Sequence, residues 1–482
     1  MRPPRPYDGI TGLGSSLVST APETIPDAPA ASPANTRGRV ITASMVGTTI
    51  EFFDFYAYAT AASLVFPALF FPAQTPANQL LSSFAVFGVA FVARPLGSLI
   101  FGHFGDRVGR KTTLVASLLV MGIATVLIGV LPSASTPGFS VLAPAILVLL
   151  RFCQGVGLGG EWSGAALLAT ENAPPGKRAL YGTFPQLGAP LGFILSNVIF
   201  VVLSLRLTPE QFVSWGWRVP FLLSAILVAV GLWVRLKLME SPAFQKVIDE
   251  ERVAAVPIAR IVRTAWRPLI LATGAMVATY VLFYLMTAFL MVVGTRPADE
   301  NSARAAAEAA GNSFDPASFV PGLGYDRPQF LTMLIIGVVF FGIFTVVSGP
   351  LADRVGRRPL LLVVTVAIAV FGMLIEPLMS SGTVGVMAAL IVGFTLMGLT
   401  FGPMAAFLPE MFRADVRYTG SAVSYNLASV IGAAPAPYAL IALWQALGGS
   451  LWLVGAYLAL AAGITLMALL VGTETREVDY LA

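Results

Sequence analysis

Apolar runs near 20 residues or longer recur along almost the whole chain, and each is long enough to cross the hydrocarbon core of a bilayer as a helix. In that medium backbone N–H and C=O groups must be satisfied inside the segment, so such runs become helices packed on one another. The approximate spans are 40–70, 79–101, 112–131, 142–168, 179–204, 217–236, 267–294, 328–349, 359–380, 384–408, 419–445 and 450–472, twelve in all. Hydrophobic residues make up 56% of the chain and charged residues 11%, against the roughly 25% charge of soluble domains. The net charge of +4 is spread over short loops, which points to membrane orientation and to no nucleic-acid partner.

A charged turn appears once in each half of the chain. Gly102-His103-Phe104-Gly105-Asp106-Arg107-Val108-Gly109-Arg110-Lys111 returns as Gly349-Pro350-Leu351-Ala352-Asp353-Arg354-Val355-Gly356-Arg357-Arg358, each copy between two apolar runs. A second echo pairs Glu171, Lys177-Arg178 and Gly182 with Glu410, Arg413, Arg417 and Gly420. Four charged turns at matching places predict two parallel six-span repeats, 39–236 and 267–472. The charged stretch 237–266 reads as a cytosolic linker, 1–38 as a disordered cytosolic tail without a secretory signal, and 473–482 as a cytosolic tail. With the N-terminus inside, most Lys and Arg fall on inner loops, and the outer loops hold Arg206, Arg218, Arg296, Arg304 and Arg327. Both termini are therefore expected in the cytosol. The longest outer loop is 295–327, with a short helix expected over 305–310.

Charges inside the spans are the candidates for chemistry, because an ionised group in hydrocarbon must be paired, protonated or facing water. Glu51 stands about 16 Å into span 1, near the midplane, and Asp54 at i+3 shares its face. Together with Glu161 they are candidate proton-coupling groups, the alternative for each being a structural ion pair. Arg94 and Arg151 offer permanent charges whose donor fork suits a carboxylate, whether a substrate's or that of Glu51, Asp54 or Glu161. For Arg94, the following Pro95 and Gly97 also suit a packing bend. Gly155 and Gly159 lie in an apolar span and read as close helix contacts, and Pro185, Pro190, Pro435 and Pro437 as bends. The sole histidine, His103, reads as a turn residue, Glu376 as structural, and the sole cysteine, Cys153, as a buried hydrophobe. One His and one Cys supply no metal cluster and no nucleophile–base pair, so neither a metal, a cofactor nor an enzyme is expected.

The repeated Gly-x-x-x-Asp-Arg-x-Gly-Arg turn resembles the best-known motif of the major facilitator superfamily, and the likeness covers nearly everything from Arg39 to Glu474. Ile50-Glu51-Phe52-Phe53-Asp54-Phe55-Tyr56, Arg151-Phe152-x-Gln154-Gly155, Gly159-Gly160-Glu161-Trp162, Trp215 to Phe221 and Glu240-Ser241-Pro242-x-Phe244 are similar to its metabolite:proton symporter branch. Phe184 to Pro190 and Leu396 to Pro403 look closest to bacterial inner-membrane metabolite transporters of that branch. Many relatives carry Trp-Tyr where this chain has Phe52-Phe53, which alters expected substrate contacts.

The resemblance implies an all-α membrane protein of two six-helix halves in a bacterial inner membrane. It implies proton-coupled import of a small polar organic acid or zwitterion by a monomer. It places spans 1, 4, 5, 7 and 11 around a central cavity, making Tyr58, Gln154, Gln186, Tyr280, Tyr284, Tyr425 and Asn426 expected substrate contacts beside Arg94 and Arg151. Gly102, Asp106, Arg107, Gly109, Arg110, Gly349, Asp353, Arg354, Gly356 and Arg357 become a cytosolic gate, the two Asp accepting from helix N-termini of the opposite half. Gly188-Ala189-Pro190 breaks the Gly-Pro dipeptide usual in drug antiporters, which favours import over proton-driven export. A non-transporting nutrient sensor would need an effector domain or a long regulated tail.

Overall fold

A computed structural model describes residues 37–108, 110–236, 263–309, 314–316, 319–413 and 416–478, all within the unit Thr36–Ala482. The expected tail 1–38 and linker 237–266 lie outside the described residues except at their edges, where helices begin at Arg37 and Trp266. The long helical rods are α1 (Arg37–Leu64), α2 (Pro76–Val108), α3 (Arg110–Val130), α4 (Leu142–Leu158, then Glu161–Glu171), α5 (Arg178–Gln186, then Gly188–Arg206) and α6 (Val219–Leu236). There follow α7 (Trp266–Tyr284, a π segment Leu285–Phe289, Leu290–Thr295), α8 (Arg327–Val355), α9 (Arg357–Met379) and α10 (Gly382–Glu410). The last are α11 (Arg417–Ala428, a π segment Ser429–Ala433, Ala436–Ala446) and α12 (Trp452–Val471). No strand occurs among the described residues.

Ten of these stretches are long and apolar enough to cross a membrane, and Val115–Val130 is a shorter apolar one; α1, with Glu51 and Asp54, falls outside that set. Val92, Ile123, Val363 and Met467 stand exposed on the outer faces, an arrangement suited to lipid.

Within the first set of rods α1 packs on α2, α5 and α6, and α4 on α2 and α3; in the second, α8 packs on α10, α9 on α10 and α12, and α7 on α11 and α12. The sets meet where α5 lies on α8 and α10 and where α2 lies on α11. Small residues set the closest crossings: a Cβ on Gly155 would lie 2.1 Å from the Ala90 carbonyl oxygen, and one on Gly159 would lie 2.2 Å from that of Arg94. Backbones therefore touch at the α2–α4 crossing, as small-residue contacts between membrane helices allow. The helix between α7 and α8 runs over Glu300–Ala309, five residues earlier than its alanines suggest. Asp299 sets its start, accepting from the Ser302 amide at 2.9 Å as an N-cap does.

Candidate functional site

A small chamber of about 10 Å³ sits where the two sets of rods meet. Its walls are Phe52 and Phe55 of α1, Arg94 of α2, Tyr280, Phe283 and Tyr284 of α7, Phe401 of α10 and Tyr425 of α11, with Met276 and Met397. A cavity among spans 1, 4, 5, 7 and 11 is expected from sequence; the rods supplying this lining are α1, α2, α7, α10 and α11. The lining is aromatic, with one permanent charge. Arg94 Nη2 meets Glu51 Oε1 at 3.2 Å, both side chains almost wholly buried, while its guanidinium lies 5.0 Å from the Phe55 ring and 5.8 Å from that of Tyr425.

Glu51 and Asp54 share a helix face in sequence, yet they enter different surroundings. Asp54 turns toward α3 and α6, accepting from Ser224 Oγ at 2.6 Å and Thr125 Oγ1 at 2.9 Å. The bonding runs on, Gln154 Nε2 donating to Thr125 at 2.7 Å and Arg151 Nη1 to Gln154 Oε1 at 2.9 Å. Arg151 is packed between rings, 4.5 Å from Phe55, 4.1 Å from Tyr58 and 4.7 Å from Phe87. Phe55 thus separates the two guanidinium groups, and only that of Arg94 lines the chamber. An uninterrupted polar chain thus links Arg151 to Asp54 without direct contact.

Of the other expected substrate contacts, Tyr280, Tyr284 and Tyr425 line the chamber, whereas Tyr58 and Gln154 lie behind it against Arg151. Gln186 bridges the two sets of rods, accepting from Trp162 Nε1 at 2.9 Å and donating to the Phe401 carbonyl at 2.8 Å. Asn426 donates to the Gly159 carbonyl at 2.8 Å and to Ser98 Oγ, so its amide fastens α11 to α4 and α2. Glu161 is buried at the start of the second segment of α4, outside the chamber lining.

Above the chamber Tyr56 packs tilted against Phe283 and edge-on against Phe193, with ring centroids at 5.6 and 4.7 Å. A narrow space of about 10 Å³ follows, lined by Tyr56, Thr60, Asn197 and Thr287, and then a vestibule of about 450 Å³ that shares Ser63 with it. Cavities thus stack from one end of the molecule to its middle.

The opposite end is closed by the repeated turn. Asp353 accepts from the Ala179 and Leu180 amides, both at 3.0 Å, at the N-terminus of α5, where the unpaired amides favour a negative charge. Arg357 joins Asp353 at 3.2 Å and Glu410 at 3.1 Å. Gly349 is needed because a Cβ there would stand 2.7 Å from Leu180 Cα, and Gly356 because its φ is +109°. Arg354 is exposed, and its carbonyl accepts from Arg476. In the first copy the backbone is helical at Gly102, Asp106, Arg107 and Arg110; their side chains, that of His103, and Gly109 altogether lie outside the described residues.

These two ends, a turn-locked one and a cleft one, around a shared chamber are what a two-state carrier needs. The family model of the Major Facilitator Superfamily matches residues 44–437. The chain belongs to the major facilitator superfamily.

Within the superfamily it is similar to an inner membrane metabolite transport protein of Escherichia coli (strain K12), 52% identical over 447 residues, 92% of this chain and 96% of the relative. The shikimate transporter of the same organism is 34% identical, with 96% of this chain and 100% of the relative covered. The E. coli proline/betaine transporter is 30% identical, with 91% and 83% covered. Among solved structures, a D-xylose-proton symporter superposes with TM-score 0.67 at 15% identity, over 92% of this chain and 99% of that one; this shows the shared superfamily fold.

Sequence reasoning missed three features of the site. The π segments of α7 and α11 directly follow Tyr284 and Ala428 and carry no special residue type, though such bulges gather at functional sites. Trp162 stacks on Tyr425 across the two sets of rods, centroids 3.9 Å apart and planes 3° from parallel. The segment after α12 also joins the repeated turn: Glu474 accepts from the amides of Arg357 at 2.9 Å and Arg358 at 3.0 Å, and Thr475 donates to Glu410 at 2.7 Å. The signal was an acid and a threonine just beyond the final apolar run.

Proposed function

We propose that this protein imports a small polar organic acid or zwitterion together with protons, by alternating access across a bacterial inner membrane. In this reading α1 and α3 complete a twelve-span chain of two halves, 39–236 and 267–472, with both termini and the repeated turn on the cytosolic side. The described state is then outward-facing, with its gate shut and its substrate chamber nearly sealed by aromatic rings.

The Arg94–Glu51 pair carries the reading. A substrate carboxylate reaching the chamber competes with Glu51 for the guanidinium. Once displaced, the buried Glu51 carboxylate loses the Arg94 countercharge, a change costly in low dielectric unless a proton neutralises it. One anion and one proton therefore occupy the site together, and joint occupancy releases the interactions that favour the outward state. The Asp54 chain, leading to Arg151, supplies a second protonatable position beside it. Relatives named for shikimate and for proline and betaine support a carboxylate-bearing substrate.

The test is uptake into proteoliposomes under an imposed proton gradient, screening shikimate, oxo- and dicarboxylates, citrate, proline and betaine. Glu51→Gln should abolish gradient-driven accumulation while leaving substrate exchange. Loss in Asp54→Asn alone would move the proton to Asp54, and retention in both variants would remove the coupling assignment.

A further inference from the structure

The vestibule at the end away from the repeated turn has a charge that the chamber mechanism does not use. Its walls come from both sets of rods: Ser63 and Ser204 lie at the ends of α1 and α5, Phe212 follows α5, Tyr325 and Asp326 precede α8, and Arg327 begins it. Arg327 is half-buried and its guanidinium lies 4.5 Å from the Phe212 ring, so one set supplies the cation and the other the aromatic face beneath it. Among the described residues this guanidinium has no hydrogen bond or ion pair, and the Ser204 hydroxyl in the same wall is buried without a hydrogen-bond partner. Arg holds its charge even when partly desolvated, and a ring on one face leaves the donor edge free for a planar anion.

We propose that this vestibule is a capture site for a small carboxylate, bound by the Arg327 edge with Ser204 as a second donor, before the ligand descends past Tyr56 to the chamber. Asp326 lines the same pocket and is exposed, so a second negative charge on the ligand is repelled. The site therefore selects monocarboxylates and zwitterions over dianions. Capture here also brings the Arg327 and Phe212 walls under one ligand, which concentrates substrate at the mouth of the cleft. The proposal rests on the reading that substrate enters from this end.

The test uses the full-length chain in detergent, with Cys153→Ser and Leu207→Cys carrying a trifluoroethylthio label, Leu207 being a vestibule wall. The probes are two nitroxides of the same shape, anionic 3-carboxy-PROXYL and neutral 3-carbamoyl-PROXYL, and the readout is paramagnetic broadening of the fluorine line. The carboxylate should reach half-broadening at about fivefold lower concentration, the size of a half-exposed charge contact. Arg327→Gln should erase that ratio, and Arg327→Lys, which keeps the charge, should preserve it. No ratio in the parent, or an unchanged ratio in Arg327→Gln, overturns the proposal. Because broadening requires no transport, a persisting ratio in a protein that shows no proton-coupled uptake would sink the transport reading and leave the site standing.

Discussion

Replacing Asp353 by Asn should open the gate from the inside. Each carboxylate oxygen of Asp353 accepts one amide at the start of α5, at 3.0 Å, and Oδ1 also meets Arg357 at 3.2 Å. An Asn side chain has one acceptor oxygen, so one of the two charge-assisted bonds becomes an N–H facing an NH2, a loss of about 1.5–3 kcal/mol. The missing negative charge at a helix N-terminus removes about 0.3–1 kcal/mol more. Arg357 keeps Glu410 at 3.1 Å, so no buried cation is orphaned and the turn itself should still fold. The sum, about 3 kcal/mol, shifts the closed-to-open ratio by about 100-fold.

Ala405 reports that shift: it is fully buried, and a Cβ on Gly182 of α5 would stand 3.1 Å from its own Cβ, so a thiol there is reachable only when the sets of rods part. In a Cys153→Ser, Ala405→Cys background, alkylation by membrane-permeant N-ethylmaleimide should be slow with Asp353 intact. With Asp353→Asn it should accelerate by about ten- to 100-fold, levelling off once the open state dominates. A change of less than about threefold would refute the claim that Asp353 holds this end shut.

Glu474→Gln should act on the same assay through a different helix, since its carboxylate caps the amides of Arg357 and Arg358; a loss of about 1 kcal/mol predicts roughly fivefold faster alkylation, and an unchanged rate would make the segment after α12 a bystander. Gly155→Ala places a Cβ 2.1 Å from the Ala90 carbonyl oxygen, so α2 and α4 must separate at a cost of about 1–3 kcal/mol. A lower apparent melting temperature in detergent is expected, and an unchanged one would show that the crossing has slack. Trp162→Leu removes both the stack on Tyr425 and the donor to Gln186, so it should raise alkylation of the Ala405→Cys thiol several-fold, whereas Trp162→Phe, keeping a ring, should raise it less; equal effects would assign the contact to the hydrogen bond alone.

The long apolar segments, the repeat and the charges buried within them were legible because each obeys a local rule. A bilayer demands runs of a given length, and an ion inside one demands a reason. Asp353 was readable as a helix-terminus acceptor for the same cause: a motif with an acid between two glycines has few other uses. The destinations of those charges were not legible. Glu51 and Asp54 are three residues apart on one helix, yet one meets Arg94 in the chamber wall and the other Ser224 on α6. Their partners sit 43 and 170 positions along the chain, and nothing local to span 1 selects them.

Sequence by itself therefore determined a helical membrane carrier with a charged turn in each half and intramembrane charges to explain. Tertiary structure decided which charge faces the chamber, that Gln186 and Asn426 spend their amides holding rods together, and that Glu474 caps the amides of the second turn. The physical reason is that helix formation in lipid is satisfied within each segment, while pairing a buried charge depends on which rods cross at its depth.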